Sequence, residues 1–113
     1  MLPLLRENRD IVYIVSKEDC IFGISDVVLY KRGEQLVLHR IISKEGSLYE
    51  IMGDNQYVSE TVIENQIIGV MTAFARNGKE TLREDSNYQK YVKRIMDMSI
   101  NRRKILAKIR KIV

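Results

Sequence analysis

Apolar positions fall into two regimes along this chain, and the change comes near Ser86. Before it, short runs of β-branched and aromatic residues alternate with polar turns. Ile11-Val12-Tyr13-Ile14-Val15 is the first run and is bounded by charged residues. Asp26 introduces Val27-Val28-Leu29-Tyr30, which ends at Lys31-Arg32-Gly33. Leu36 to Ser43, Leu48 to Met52 and Ile67 to Ala75 follow, set off by Glu45-Gly46, Gly53-Asp54-Asn55 and Asn77-Gly78. Short strands with close turns predict a mainly β fold, an antiparallel coiled sheet or partial barrel. From Ser86 onward the spacing becomes threes and fours: Tyr88, Tyr91, Val92, Ile95, Met98, Ile105, Leu106, Ile109 and Ile112, with Ser99 and Arg102 on the same stripe. That is an amphipathic helix with a basic polar face, capped by Ser86 or Asp85 and open to interruption at Asn101. The organisation expected is a β domain over 1–80 and a basic C-terminal helical segment over 81–113.

Composition narrows the classes. The 113 residues suit one domain, with 45% hydrophobic and 30% charged residues, an ordinary globular balance. No apolar run reaches eighteen residues, and Met1 to Arg9 lacks the apolar stretch of a secretory signal, so a soluble chain is expected. One cysteine, Cys20, and one histidine, His39, exclude an internal disulfide and a Cys/His zinc cluster. The glycines are scattered, with no phosphate-binding loop, and no cofactor is implied.

Charge is unevenly spread. Residues 86–113 carry nine Lys/Arg against Asp97 alone, a net +8, so residues 1–85 carry −4 of the chain's +4. The plainest reading is an apolar stripe docked on the sheet with the cations in water. Peripheral attachment to an anionic membrane surface is the second reading. Nucleic-acid binding ranks last, since the tail has no recognisable motif.

His39 is the candidate for chemistry. In a period-two strand it shares a face with Val37 and Ile41. A hairpin turning near Glu45-Gly46 sets residue 39 roughly opposite 53, which brings Asp54 close. A carboxylate there could accept from the imidazole Nδ1–H and fix the tautomer. By themselves, a single strand histidine reads as structural or solvated, and Gly53-Asp54-Asn55 reads equally as a plain turn.

Five short motifs, in order, resemble type I signal peptidases, in the branch that uses histidine where the common bacterial enzymes use lysine. The family pattern is Ser-Met-x-Pro, Gly/Ser-Asp-Val-Val, His-Arg-Ile/Val, Gly-Asp-Asn and Ile-Ile-Gly. The chain has Met1-Leu2-Pro3, Ser25-Asp26-Val27-Val28, His39-Arg40-Ile41, Gly53-Asp54-Asn55 and Ile67-Ile68-Gly69. Over roughly residues 1–75 the resemblance implies a serine endopeptidase acting on precursor proteins. It makes His39 the general base and Asp54 the orienting acid. Glu60 stands where the family has a second acid, six positions after the first. The family's serine falls immediately before Met1, so the chain as it stands is expected to be inert. The implied partner is an extended peptide with small residues before the cut, added as a strand at a sheet edge. The alternative is a non-catalytic peptide-binding or interaction module.

Overall fold

The structure, a computed structural model, describes residues 10–98 and Arg102. Met1-Leu2-Pro3 and the expected helix beyond Met98 lie outside the described residues, Arg102 excepted. Seven strands are present among them: β1 (Asp10–Ser16), β2 (Val27–Arg32), β3 (Gln35–Glu45), β4 (Leu48–Met52), β5 (Glu60–Ile63), β6 (Ile67–Arg76) and β7 (Lys79–Leu82). One α-helix follows, α1 (Ser86–Asp97). The fold is mainly β, an open antiparallel sheet with a C-terminal helix, as the hydropathy pattern predicts.

The strand order is β1-β6-β2-β3-β4-β5, with β7 also paired to β6. β6 is the spine. It pairs with β1 along one side, while its other side is divided between β2 over Ile67–Val70 and β7 over Ala73–Arg76. Asn77 at φ 53 and Gly78 at φ 82 turn β6 into β7, the conformation of a two-residue hairpin loop. Two strands were not anticipated from the sequence. β5 and β7 are four residues each, and only Val62 among their residues is buried. The division expected between residues 80 and 81 falls inside β7.

Register shifts at Tyr13/Ile14, Leu29/Tyr30 and Ile41/Ser43 bend the sheet. At the first of these, β1 presses onto β6 so closely that a Cβ on Gly69 would lie 2.4 Å from Ile14 Cγ2. Glycine is the only side chain that fits there.

The sheet has two differently packed faces. Val28, Tyr30, Ile41, Tyr49, Ile51, Val62, Ile67 and Val70 form one buried cluster, with Cys20, Phe22 and Val37 against it. Cys20 is therefore packing material. On the opposite face Val27, Met71 and Phe74 meet Tyr88 and Val92 of α1. Ile95 is buried as well, so the apolar side of α1 docks on the sheet. Asp85 is the N-cap and accepts from the Tyr88 backbone N–H at 2.9 Å.

Candidate functional site

β3 carries the site, and its alternation divides the site between the two faces. His39 and Arg40 are neighbours in sequence, so their side chains leave opposite sides of the strand.

On the first face, β2 pairs with β3 so that Val28 stands opposite His39 and Tyr30 opposite Val37. Tyr30 is thus on the same face, one step along. Its hydroxyl lies 3.5 Å from His39 Nδ1, and it donates to Glu60 Oε1. Glu60 opens β5, where it pairs with Ile51. Arg32, two residues beyond Tyr30, holds the same carboxylate with Nε 3.1 Å from Oε2 and Nη2 2.5 Å from Oε1. The tautomer follows from donor counting. The one Tyr30 proton goes to Glu60, so toward His39 that oxygen can only accept. That contact suits the tautomer with its proton on Nδ1 and the lone pair on Nε2.

Burial, and then the Arg32 cation, lower the His39 pKa below the ordinary imidazole value, against the opposing pull of Glu60 and Asp54. Both effects favour the neutral ring. The hydrogen bonds from Arg32 hold the Glu60 carboxyl below its usual range. Burial first, and Glu60 second, push the Tyr30 phenol upward. The hydroxyl remains protonated.

These groups open onto a cavity of about 480 Å³ between β3 and the segment leading into β5. Arg32, His39, Ile51 and Glu60 line it with the run Asn55 to Ser59. Tyr57 and Val58 at its rim are exposed. Ser59, the serine in this lining, donates its hydroxyl proton to Glu50 Oε2 at 2.9 Å.

On the second face, Asp54 is engaged by Arg40 rather than by His39. Arg40 Nε is 2.8 Å from Oδ1 and Nη2 is 2.8 Å from Oδ2, a bidentate pair. Arg40 Nη1 also donates to Ser25 O at 2.7 Å and Nη2 to the Tyr88 hydroxyl at 3.2 Å. Tyr91 donates to Asp54 Oδ2 at 2.7 Å. Arg40 is 1% exposed and Asp54 2%. Burial alone would lower the Arg40 pKa, and the Asp54 carboxylate more than reverses that. Burial first, and Asp54 next, raise the Tyr91 pKa.

The expectation that Asp54 comes within hydrogen-bond or one-water reach of His39 is therefore corrected, because the two side chains lie on opposite faces. Arg40 stands opposite Met52, which sets His39 opposite Gly53, so Asp54 emerges one residue later on the far face. It acts on His39 as a charge across the strand. The carboxylate on the His39 face is Glu60, through Tyr30. Gly53 itself abuts the ring: a Cβ there would sit 3.1 Å from His39 Cδ2. Tyr30, Arg32, Arg40 and Tyr91 were not singled out as site residues in the sequence. Counting the β2–β3 hairpin outward from Gly33 would have found Tyr30. Among the described residues no group of three His, Cys, Asp or Glu is placed to hold a metal, and no helix is long and apolar enough to cross a membrane.

Comparison with protein-family models, with curated proteins and with solved structures finds no match to this chain.

Proposed function

We propose that this chain is a peptide-hydrolase domain of the signal-peptidase kind. In it, His39 is the general base and the Glu60–Tyr30 pair orients its ring. The observation that carries the reading is a partly buried imidazole on a cavity wall, with Nδ1 beside a phenol that is bonded to a carboxylate. Nε2 is then the basic atom available to take a proton from a nucleophile. Arg32 keeps Glu60 ionised for this purpose. Among the described residues β5 pairs with β4 alone, and its other edge, beside the cavity, is where an extended peptide would add as a strand. The resemblance supplies the nucleophile, a serine directly ahead of Met1. Ser59 is a poor substitute, since its proton is committed to Glu50.

The test compares two chains on a small-residue precursor peptide. The 113-residue sequence is expected to bind the peptide without cleaving it. The same sequence with a serine placed directly before Met1 should cleave it and lose that activity on His39→Ala. Binding by both chains with cleavage by neither leaves a peptide-binding module in place of the enzyme. Binding by neither rejects the cavity as a peptide site.

A further inference from the structure

We propose that Tyr91, with Tyr88 beside it, is a positioning residue for the His39 cavity: α1 grips Asp54, and through Asp54 it fixes the segment from Gly53 to Tyr57 that walls the cavity. The proposal rests on the reading above only in calling that cavity the substrate site.

Asp54 is an anchor of the wall. Asp54 follows Gly53, and Gly53 closes a turn with Gln56. Its N–H donates to Gln56 Oε1 at 3.1 Å, and its carbonyl accepts from the Gln56 N–H at 3.0 Å. The next residues, Asn55, Gln56 and Tyr57, line the cavity. Gly53 lies against the His39 ring, so a displacement of Asp54 moves both the turn and the surface on which the imidazole rests.

What fixes Asp54 comes largely from outside the turn. Arg40 supplies two donors from β3 and Tyr91 one from α1. Tyr88 and Tyr91 are three apart on the helix and stack with ring centroids 6.1 Å apart. The Arg40 guanidinium carbon lies 5.7 Å from the Tyr88 centroid and 5.9 Å from that of Tyr91. The helix thus covers the buried ion pair and supplies two of its hydrogen bonds, one to each partner. Moving α1 away would expose a carboxylate and a guanidinium to rearrangement, and the turn that contains Asp54 would follow it. Coupling of this kind is reciprocal, so a ligand that orders the wall also tightens α1.

Tyr91→Phe tests this by deleting one hydroxyl and keeping the ring. Backbone amide exchange is measured by NMR together with the pH titration of the His39 ring. The groups facing that ring are Tyr30 and Arg32 from β2, Glu60 from β5 and, across the strand, Asp54. The substitution leaves Tyr30, Arg32 and Glu60 unchanged and takes one hydrogen bond from Asp54. The Gly53 and Gln56 amides should exchange about tenfold faster or more, in keeping with loss of a hydrogen bond to a charged group. Val70 and Met71 in β6 should keep their protection. The His39 midpoint should move up toward the ordinary imidazole value, because a looser wall hydrates the ring. Tyr88→Phe should do the same to a smaller degree, since its bond goes to Arg40 and is longer. Either readout remaining at its wild-type value in Tyr91→Phe overturns the proposal. So does a matching loss of protection at Val70 and Met71, which would mean general destabilisation. No peptide enters the measurement, so the result does not depend on whether the chain cleaves one.

Discussion

Removing one member of the Arg40–Asp54 pair should be among the most damaging single changes available to this domain. Arg40→Met deletes both bonds to Asp54, the bond to Ser25 O and the bond to Tyr88. It leaves a carboxylate that is 2% exposed without its cation. Breaking a buried pair from one side costs about 3–5 kcal/mol. The Ser25 contact should push Arg40→Met toward the upper end. Ser25 sits at φ 83, a left-handed conformation that costs a non-glycine residue about 1–3 kcal/mol and must be held by its surroundings. It is held by Arg40 at its carbonyl and by Ile41 O, 2.9 Å from its N–H. Asp54→Leu should fall toward the lower end, because the stranded guanidinium keeps two acceptors, Ser25 O and Tyr88. The double variant Arg40→Met/Asp54→Leu should lose less than the sum of the singles by about 2 kcal/mol or more, since no charge is then left unpaired. Urea unfolding followed by circular dichroism reads all three. Domains of this kind have roughly 5–15 kcal/mol in total, so either single change takes a large share. The reasoning is refuted by an Arg40→Met variant within about 1 kcal/mol of wild type, or by strict additivity in the double variant.

Three other outcomes follow from the same geometry. Gly69→Ala forces a Cβ against Ile14 Cγ2 at the β1 bulge and should destabilise by about 1–3 kcal/mol, measured by urea unfolding; a neutral result would mean that β1 shifts freely. Asp85→Ala removes the cap of α1 and should cost about 1 kcal/mol, with increased amide exchange at Tyr88, whose N–H it leaves without that acceptor. His39 titrates lower in the folded chain than unfolded, so its contribution to stability is complete above the ordinary imidazole pKa and is lost as pH falls through the folded value. A His39→Gln variant should therefore lose stability less steeply than wild type below about pH 6.5, and identical slopes would contradict the lowered pKa.

Much of the sheet was legible because period-two alternation and turn residues are strong signals. Leu48–Met52 matches β4 at both ends, the runs from Val27 and Ile67 start where β2 and β6 start, and the remaining ends differ by one or two residues. β5 and β7 escaped because four residues with at most one buried side chain leave almost no hydrophobic pattern. They exist because their neighbours need partners, a tertiary cause that a local pattern does not contain. The site shows the same division. The hairpin argument set residue 39 opposite 53, and the register agrees. The step from Gly53 to Asp54 then changes face, and proximity along the chain hid that change. Tyr30 and Arg32 looked like strand and turn residues because their relation to Glu60 crosses β3 and β4. Glu60 entered only through a family spacing, and the geometry independently brings it to His39.

His39 and Arg40 give the site its logic, since one peptide step separates a half-exposed base from a buried cation. On the first face a perturbed imidazole must meet a cavity and remain chemically available. On the second a charge is taken fully out of water. A buried ion pair is weak evidence for stability, because apolar side chains of similar volume often serve as well or better. Its use here is directional. Two fork-shaped donors and a phenol fix the Asp54 carboxylate in orientation, and the turn that begins at Gly53 inherits that orientation where it touches His39. An apolar pair would fill the same space without specifying the turn. The double variant Arg40→Met/Asp54→Leu separates these roles. Near-native stability with fast exchange at the Gly53 and Gln56 amides would mean that the charges position the cavity wall. Near-native stability with native protection there would mean that packing alone does.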